Sequence, residues 1–329
     1  MSVAFVFPGQ GAQYAGMGKQ MAAAFAPARD AFRRADEVLG FPLSRLCWEG
    51  SDEELRRTDI TQPAILATSM ACLTVLQARG AAPQMAAGLS LGEYTALVCA
   101  GAFRYEDALV VVRRRGEFMQ EAAAGRRTAM AAILGLDAQA VRGICRAASA
   151  QGIVEPSNFN SPGQIVIAGD EDAVHEGMRL AREAGAKRAV PLPVSAPFHT
   201  SLMRPAATRL AEALSGIPIV PATIPVVSNV TAQPVREPGD IRRLLVEQVA
   251  SPVRWDESVR AMRDAGMTTF VEVGPGTTLS GLIRKTVPAA RMVHVQDPES
   301  LHEACAALEA SPSSVSTSAG LWNWGSTTT

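Results

Sequence analysis

The chain has 329 residues, 47% of them hydrophobic, with 31 lysines and arginines against 32 aspartates and glutamates. It is long enough to bury a large core in one or two domains. Its balanced charge excludes functions that rest on a global electrostatic field, such as nucleic-acid or membrane-surface binding.

Five scattered cysteines (Cys47, Cys72, Cys99, Cys145, Cys305) without a C-x-x-C pair read as reduced cytosolic thiols. The four histidines (His175, His199, His294, His302) lack metal-ligand spacing, so no metal is expected. The N-terminus has no basic region ahead of its short apolar run, so no signal peptide is expected. No stretch is read as approaching the roughly 20 apolar residues of a membrane span. A soluble cytoplasmic protein, monomeric and without nucleic-acid or membrane partners, is the expectation.

In chain order, "VAFVFPGQGAQ" is a buried strand feeding a Pro-Gly turn. From Met17 to Leu39 the pattern predicts one or two helices broken near Pro27. "SDEELRRTDITQP" opens a helix at Ser51, and a longer helix is predicted from Gln62 or Pro63 to a stop at Gly80. "QMAAGLS" is a short strand, "LGEYTALVCAGA" a helix, and "RYEDALVVVRRRGEFMQEAAA" another helix from about Tyr105. After Thr128 the order strand, helix, strand, strand, helix, strand predicts a split-βαβ, ferredoxin-like unit over 128–195. Its last strand is read from "AKRAVPLPVS". The chain then returns through "PFHTSLMRPAATRLAEAL", the strand "IPVVSNV", one helix near 240–266 and the strand "TTFVEVGPG". The fold class is therefore α/β: a large discontinuous domain, 1–127 and 196–309, carrying the small inserted one. Residues 310–329 read as a Ser/Thr-rich flexible tail.

The stretch Gly88-Leu89-Ser90-Leu91-Gly92, between a strand and a helix, has the form of a nucleophile elbow. Glycines let the backbone turn sharply, and the following helix offers N–H groups to an oxyanion. The same residues also suit a plain Ser/Gly turn. A serine nucleophile needs a base. His175 and His302 fall in helical patterns among acids, and His294 alternates along a strand. His199 lies in a Pro-bounded loop after a strand, as either a base or an ordinary loop histidine. No acid stands near it in sequence to complete a triad.

Eight blocks occur in order: "FVFPGQGAQYAGMG", "TDITQPAILATS", "GLSLGEYTALVCAGAF", "VVRRRGEFMQ", "SNFNSPGQIVIAG", "VSAPFHTSLMRPA", "VEQVASPVRWDESV" and "FVEVGPGTTLSGLIRK". Together, over about residues 3 to 290, the chain resembles the malonyl-CoA:acyl-carrier-protein transacylases, both the free-standing fatty-acid enzymes and the stand-alone acyltransferases of polyketide synthases. The resemblance implies a hydrolase-like α/β domain with a small ferredoxin-like one, and no cofactor beyond the substrates malonyl-CoA and a phosphopantetheinylated acyl carrier protein.

By the same resemblance, Ser90 is the acylated nucleophile, His199 its base, and the Gln10 and Leu91 backbone N–H groups the oxyanion hole. The Gln248 carbonyl would orient His199, which accounts for the missing acid. Arg115 would grip the substrate carboxylate, a task suited to a planar guanidinium; the residues alone do not separate it from Arg113 and Arg114. Gln62 and Asn158 would line the cleft, although Asn158 also suits an Asx turn before Pro162. Phe198, beside the base, resembles malonyl users, since a ring there fills the space of an α-methyl group. Leu89 stands where the family commonly has histidine, a departure that resembles stand-alone polyketide acyltransferases. Arg284 and Lys285 are candidates for a basic rim facing an acidic carrier. Two rivals remain: a proofreading acyl hydrolase, against which Arg115 speaks, and a non-catalytic carrier-protein docking module, against which the full set Ser90, His199 and Arg115 speaks.

Overall fold

The computed structural model describes residues 2–194 and 196–309; the tail expected from Ala310 lies outside them. Ten strands are present among the described residues: β1 Val3–Phe7, β2 Met85–Gly88, β3 Thr128–Leu134, β4 Val154–Ser161, β5 Gln164–Asp170, β6 Arg188–Pro191, β7 Val226–Val227, β8 Pro234–Val235, β9 Thr269–Val273 and β10 Arg291–Val295.

They form a six-stranded sheet, in order β10-β9-β1-β2-β7-β8, and a four-stranded sheet, in order β4-β5-β3-β6. In the larger sheet β10, β9, β1, β2 and β7 run parallel and only β8 is antiparallel. The central strands β1 and β9 are buried along their whole length, as strands covered on both faces must be. Alternation along β1 divides the core in two. Val3, Phe5 and Phe7 pack with the helices Ala26–Leu39 and Thr58–Ala78, whereas Ala4 and Val6 pack with Trp255, Val259 and Leu282.

The smaller sheet is antiparallel, and its connections follow the split-βαβ plan. The amphipathic helices Ala138–Ala148 and Glu171–Glu183 lay Val141, Ile144, Val174 and Met178 on Ile133, Ile165 and Ile167. Strand β4 also bonds outside its own sheet, to the segment before the helix Trp255–Asp264 and to the turn after His199. Val253 N–H donates to the Ser157 carbonyl at 2.9 Å and Phe159 N–H donates to the Val253 carbonyl at 2.8 Å. Glu155 accepts from the Ser201 backbone N–H and Oγ, each at 2.7 Å.

Several elements differ from the sequence expectation. The long helix is Thr58–Ala78, starting before Pro63. A proline in the second turn removes one hydrogen bond, and burial of this helix on nearly every side outweighs that loss. This helix also corrects the membrane-span expectation: its 21 residues are long and apolar enough by composition to cross a membrane. Here the helix is the buried centre of the fold. The single helix expected near 240–266 is two, Pro238–Val249 and Trp255–Asp264. Pro252 lies between them and biases Ser251 away from helical backbone. The strand expected over 186–195 is only Arg188–Pro191. The helices at the start of the chain, Lys19–Ala24 and Ala26–Leu39, break at Phe25, and Pro27 serves the first turn of the second.

Candidate active site

The site lies at the carboxyl end of the parallel sheet, where α/β folds bind ligands. The register Phe7↔Gly88 sets the loop after β1 beside the turn after β2. Ser90 occupies that turn with φ of 53°, a left-handed conformation that a non-glycine residue adopts only where its surroundings enforce it. The elbow packs so closely on β1 that a Cβ on Gly92 would stand 2.1 Å from the Phe7 carbonyl oxygen. The helix Gly92–Cys99 starts directly after Leu91.

His199 also has left-handed backbone, with φ of 61°. Its Nε2 lies 2.7 Å from Ser90 Oγ, and its Nδ1 lies 2.8 Å from the Gln248 carbonyl oxygen. With Nδ1–H donating to that carbonyl, Nε2 is left as the acceptor for the serine proton. Thr200 Oγ1 donates to the Pro197 carbonyl, and the Glu155 contacts hold the next turn, so the histidine loop is tied down on both sides. Burial first, and the nearby Arg115 cation second, push the His199 pKa down to about 3 against partial support from the Gln248 and Ser251 backbone. The resting imidazole is neutral. His175 and His302 are exposed on helices, and His294 lies on β10.

Arg115 separates from its neighbours by burial. It is 1% exposed, whereas Arg113 pairs with Glu117 over the Phe41 ring and Arg114 faces solvent. Gly116 permits the close helix crossing beneath it: a Cβ there would stand 2.6 Å from the Thr58 carbonyl oxygen. The guanidinium donates to Gln62 Oε1 at 2.8 Å, to Gln248 Oε1 at 2.9 Å and to Ser90 Oγ at 3.0 Å. Among the described residues its Nε–H has no partner, and no carboxylate comes within ion-pair distance. Burial lowers the Arg115 pKa. A buried cation with no carboxylate in direct contact, its nearest acid Glu93 acting only from a distance, is a ready receptor for a substrate carboxylate beside the nucleophile.

Two further polar residues were not anticipated. Glu93, 2% exposed, accepts on Oε2 from Gln248 Nε2 at 2.7 Å and from the Asn229 backbone N–H at 3.0 Å. Asn229 Oδ1 accepts from the Ser90 N–H at 2.6 Å, and its Nδ2 donates to the Gly88 carbonyl at 2.7 Å. Gln248 Nε2 also donates to the Ser90 carbonyl at 3.0 Å. Both backbone groups of the strained serine are thus held by side chains. The available signals were a lone acid in the apolar run "LGEYTALVCAG" and the polar Ser-Asn step within "IPVVSNV".

The other expected site residues distribute as follows. Gln10 follows Gly9, and a Cβ on Gly9 would stand 2.3 Å from the Leu89 carbonyl oxygen, which places this loop against the elbow. Leu91 is buried at the helix start. Gln62 is 1% exposed and also reaches Met119 Sδ. Phe198 is 8% exposed, directly before the histidine. Asn158 is 8% exposed on β4, with its Oδ1 accepting from Ser157 Oγ and its backbone bridged to Val253; it is not a turn residue. Leu89 packs on the core cluster of Val253 and Leu279. Arg284 and Lys285 are exposed at the end of the helix Thr278–Thr286. Among the described residues no cluster of three or more His, Cys, Asp or Glu side chains is placed to hold a metal.

A strand-elbow-helix serine at the end of a parallel sheet, with a neutral histidine on its oxygen, defines an acyl-transfer fold of the α/β class. The acyl transferase domain family matches residues 4–325, and the chain belongs to it. It is 47% identical over 308 residues to the malonyl CoA-acyl carrier protein transacylase of Bacillus subtilis, an alignment covering 93% of this chain and 97% of that protein. The acyl-carrier-protein S-malonyltransferase of Burkholderia pseudomallei superposes with a TM-score of 0.91 at 45% identity, covering 93% of this chain and 100% of that one. A malonyl-transacylase solved in complex with its type II polyketide-synthase acyl-carrier protein superposes equally, TM-score 0.91 at 44% identity, again covering 93% and 100%.

Proposed function

We propose that the protein moves a malonyl group from malonyl-CoA, through an ester on Ser90, to the phosphopantetheine thiol of an acyl carrier protein. One observation carries the reading: Ser90 Oγ is met at once by His199 Nε2 at 2.7 Å and by the buried Arg115 guanidinium at 3.0 Å. A base alone would suit any acyl chain, whereas a buried cation beside it selects an acyl group that bears its own carboxylate.

In this scheme the malonyl carboxylate takes up Arg115, using the unpartnered Nε–H and a terminal N–H in a two-point grip. His199 Nε2 removes the serine proton as Oγ bonds to the thioester carbon. The oxyanion sits on the Gln10 and Leu91 backbone N–H groups. The carbon–sulfur bond breaks, the imidazolium returns the proton to the leaving thiolate, and free CoA departs. The carrier's thiol then repeats the steps in reverse on the malonyl ester. Gln248 orients the base through its carbonyl, Gln62 and Asn158 line the cleft, and Phe198 crowds an α-methyl branch. No cofactor takes part. The reading keeps the large unit as 1–127 with 196–309 and the small one as 128–195. It places the reaction in the cytoplasm, consistent with five free cysteines. Leu89 at the elbow, and the likeness to a transacylase that serves a polyketide carrier, favour supply of malonyl units to a polyketide synthase in trans.

The test is the intact mass of wild type and Ser90→Ala after mixing with malonyl-, methylmalonyl- and acetyl-CoA. A malonyl adduct that dominates in the wild type and vanishes in Ser90→Ala supports the reading; equal loading by acetyl-CoA sinks it.

A further inference from the structure

Resting on that reading of the site, we propose that Glu93 is a positioning residue whose carboxylate oxygen couples the base, the nucleophile and the carboxylate-binding arginine through Gln248 and Asn229. One oxygen, Oε2, is the common acceptor for Gln248 Nε2 and the Asn229 N–H. From Gln248 the connection divides. Its side-chain Oε1 accepts from Arg115, its Nε2 also donates to the Ser90 carbonyl, and its main-chain carbonyl faces His199 Nδ1. From Asn229 it returns to the serine, through Oδ1 to the Ser90 N–H and through Nδ2 to Gly88. Both side-chain contacts to the strained serine backbone therefore come from residues bonded to Glu93 Oε2, beside the Glu93 backbone N–H that donates to the Ser90 carbonyl at 3.1 Å.

The amide of Gln248 needs this acceptor. Arg115 is a donor, so Gln248 must present Oε1 to it and Nε2 the other way, toward Ser90 O and Glu93. Without a strong acceptor at Glu93 Oε2, the amide loses half of the reason for that orientation, and a flipped amide would set N–H against N–H at Arg115. Keeping a carboxyl in so dry a place has a cost, since burial pushes the Glu93 pKa up to about 7. A purely structural position would suit an apolar residue better.

Glu93→Asp and Glu93→Gln separate position from charge. The glutamine keeps an oxygen in place to accept both hydrogen bonds, whereas the shorter aspartate keeps the carboxylate but withdraws it. Each variant is compared with wild type for two per-active-site quantities that a change in folded fraction does not move. These are the rate at which a fluorophosphonate labels Ser90 and the ratio of malonyl to acetyl loading. The expected result is that Glu93→Asp loses at least about tenfold in both, the scale of leaving one buried hydrogen-bond donor without its acceptor. Glu93→Gln should stay within about threefold of wild type, since its bonds persist. Wild-type values in both variants overturn the proposal, and so does a loss confined to Glu93→Gln, which would make charge the relevant property. If Glu93→Asp does not fold, Glu93→Gln decides: a labelling rate or ratio down tenfold or more overturns the proposal. Failure of the wild type to take a malonyl group would instead refute the underlying function.

Discussion

Replacing Arg115 by alanine separates selection of the acyl group from chemistry at the serine. The guanidinium is 1% exposed and binds Gln62 and Gln248. A malonyl carboxylate would take two charge-assisted hydrogen bonds from it, each contributing about 1.5–3 kcal/mol. Their loss removes about 3–6 kcal/mol from malonyl transfer, or about two to four orders of magnitude in rate. Acetyl transfer has no such bond to lose. Both substrates share the cost of leaving Gln62 Oε1 and Gln248 Oε1 without their donor, about fivefold for each at about 1 kcal/mol. That shared cost cancels in a ratio. The assay is competitive loading of Ser90 from equimolar malonyl- and acetyl-CoA, read by intact mass. The malonyl-to-acetyl ratio should collapse by at least about a hundredfold in Arg115→Ala. A ratio that stays at its wild-type value would show that Arg115 does not hold the substrate carboxylate, whatever the absolute rates do.

The same geometry has consequences for pH, stability and substrate size. His199 must be neutral to act as base, and its pKa lies far below the ordinary 6.5. The kcat/KM of the wild type should therefore stay level as pH falls through 6.5. In Arg115→Ala, where the second cause of the depression is gone, the acid limb should move upward; a wild-type limb at or above 6.5 contradicts this. Glu93 has the opposite kind of shift. Its folded pKa of about 7 exceeds the ordinary 4.5, so ionisation destabilises the fold. The cost is absent below about pH 4.5, grows between the two values and reaches about 3 kcal/mol above pH 7. The stability gain of Glu93→Gln over wild type, from thermal or urea unfolding, should be larger at pH 8 than at pH 5, and an equal gain at both contradicts the assignment. Phe198→Ser should raise methylmalonyl loading relative to malonyl by about tenfold or more, the scale of one accommodated methyl group; an unchanged ratio in loading assays would show that Phe198 does not limit the α-position.

Periodicity and turn chemistry made much of the fold legible, because the central strands are short apolar runs and most helices away from the buried Thr58–Ala78 and Gly92–Cys99 are amphipathic. The failures have specific causes. Pro63 reads as a helix start, but the buried helix runs through it. Ser251-Pro252 interrupts what reads as one helix, because an apolar pattern can continue across a short break. At the site, the elbow glycines announce Ser90 locally. The choice of Arg115 over Arg113 and Arg114 rests on which face of the helix is buried, and three consecutive arginines span too much of the helix for spacing to decide. Glu93 resembles an ordinary acid in a first helical turn. Its partners Asn229 and Gln248 lie 136 and 155 residues away along the chain, so only the folded chain brings them together.

A single turnover follows the malonyl group from the seryl ester to a carrier thiol. The enzyme is loaded with isotopically labelled malonyl-CoA, freed of CoA by gel filtration, and mixed with a phosphopantetheinylated acyl carrier protein or with buffer alone. The label should leave Ser90 and appear on the carrier as a thioester, while the ester persists in buffer. Release of labelled malonate to water at the same rate with and without carrier would contradict this transfer and identify a hydrolase.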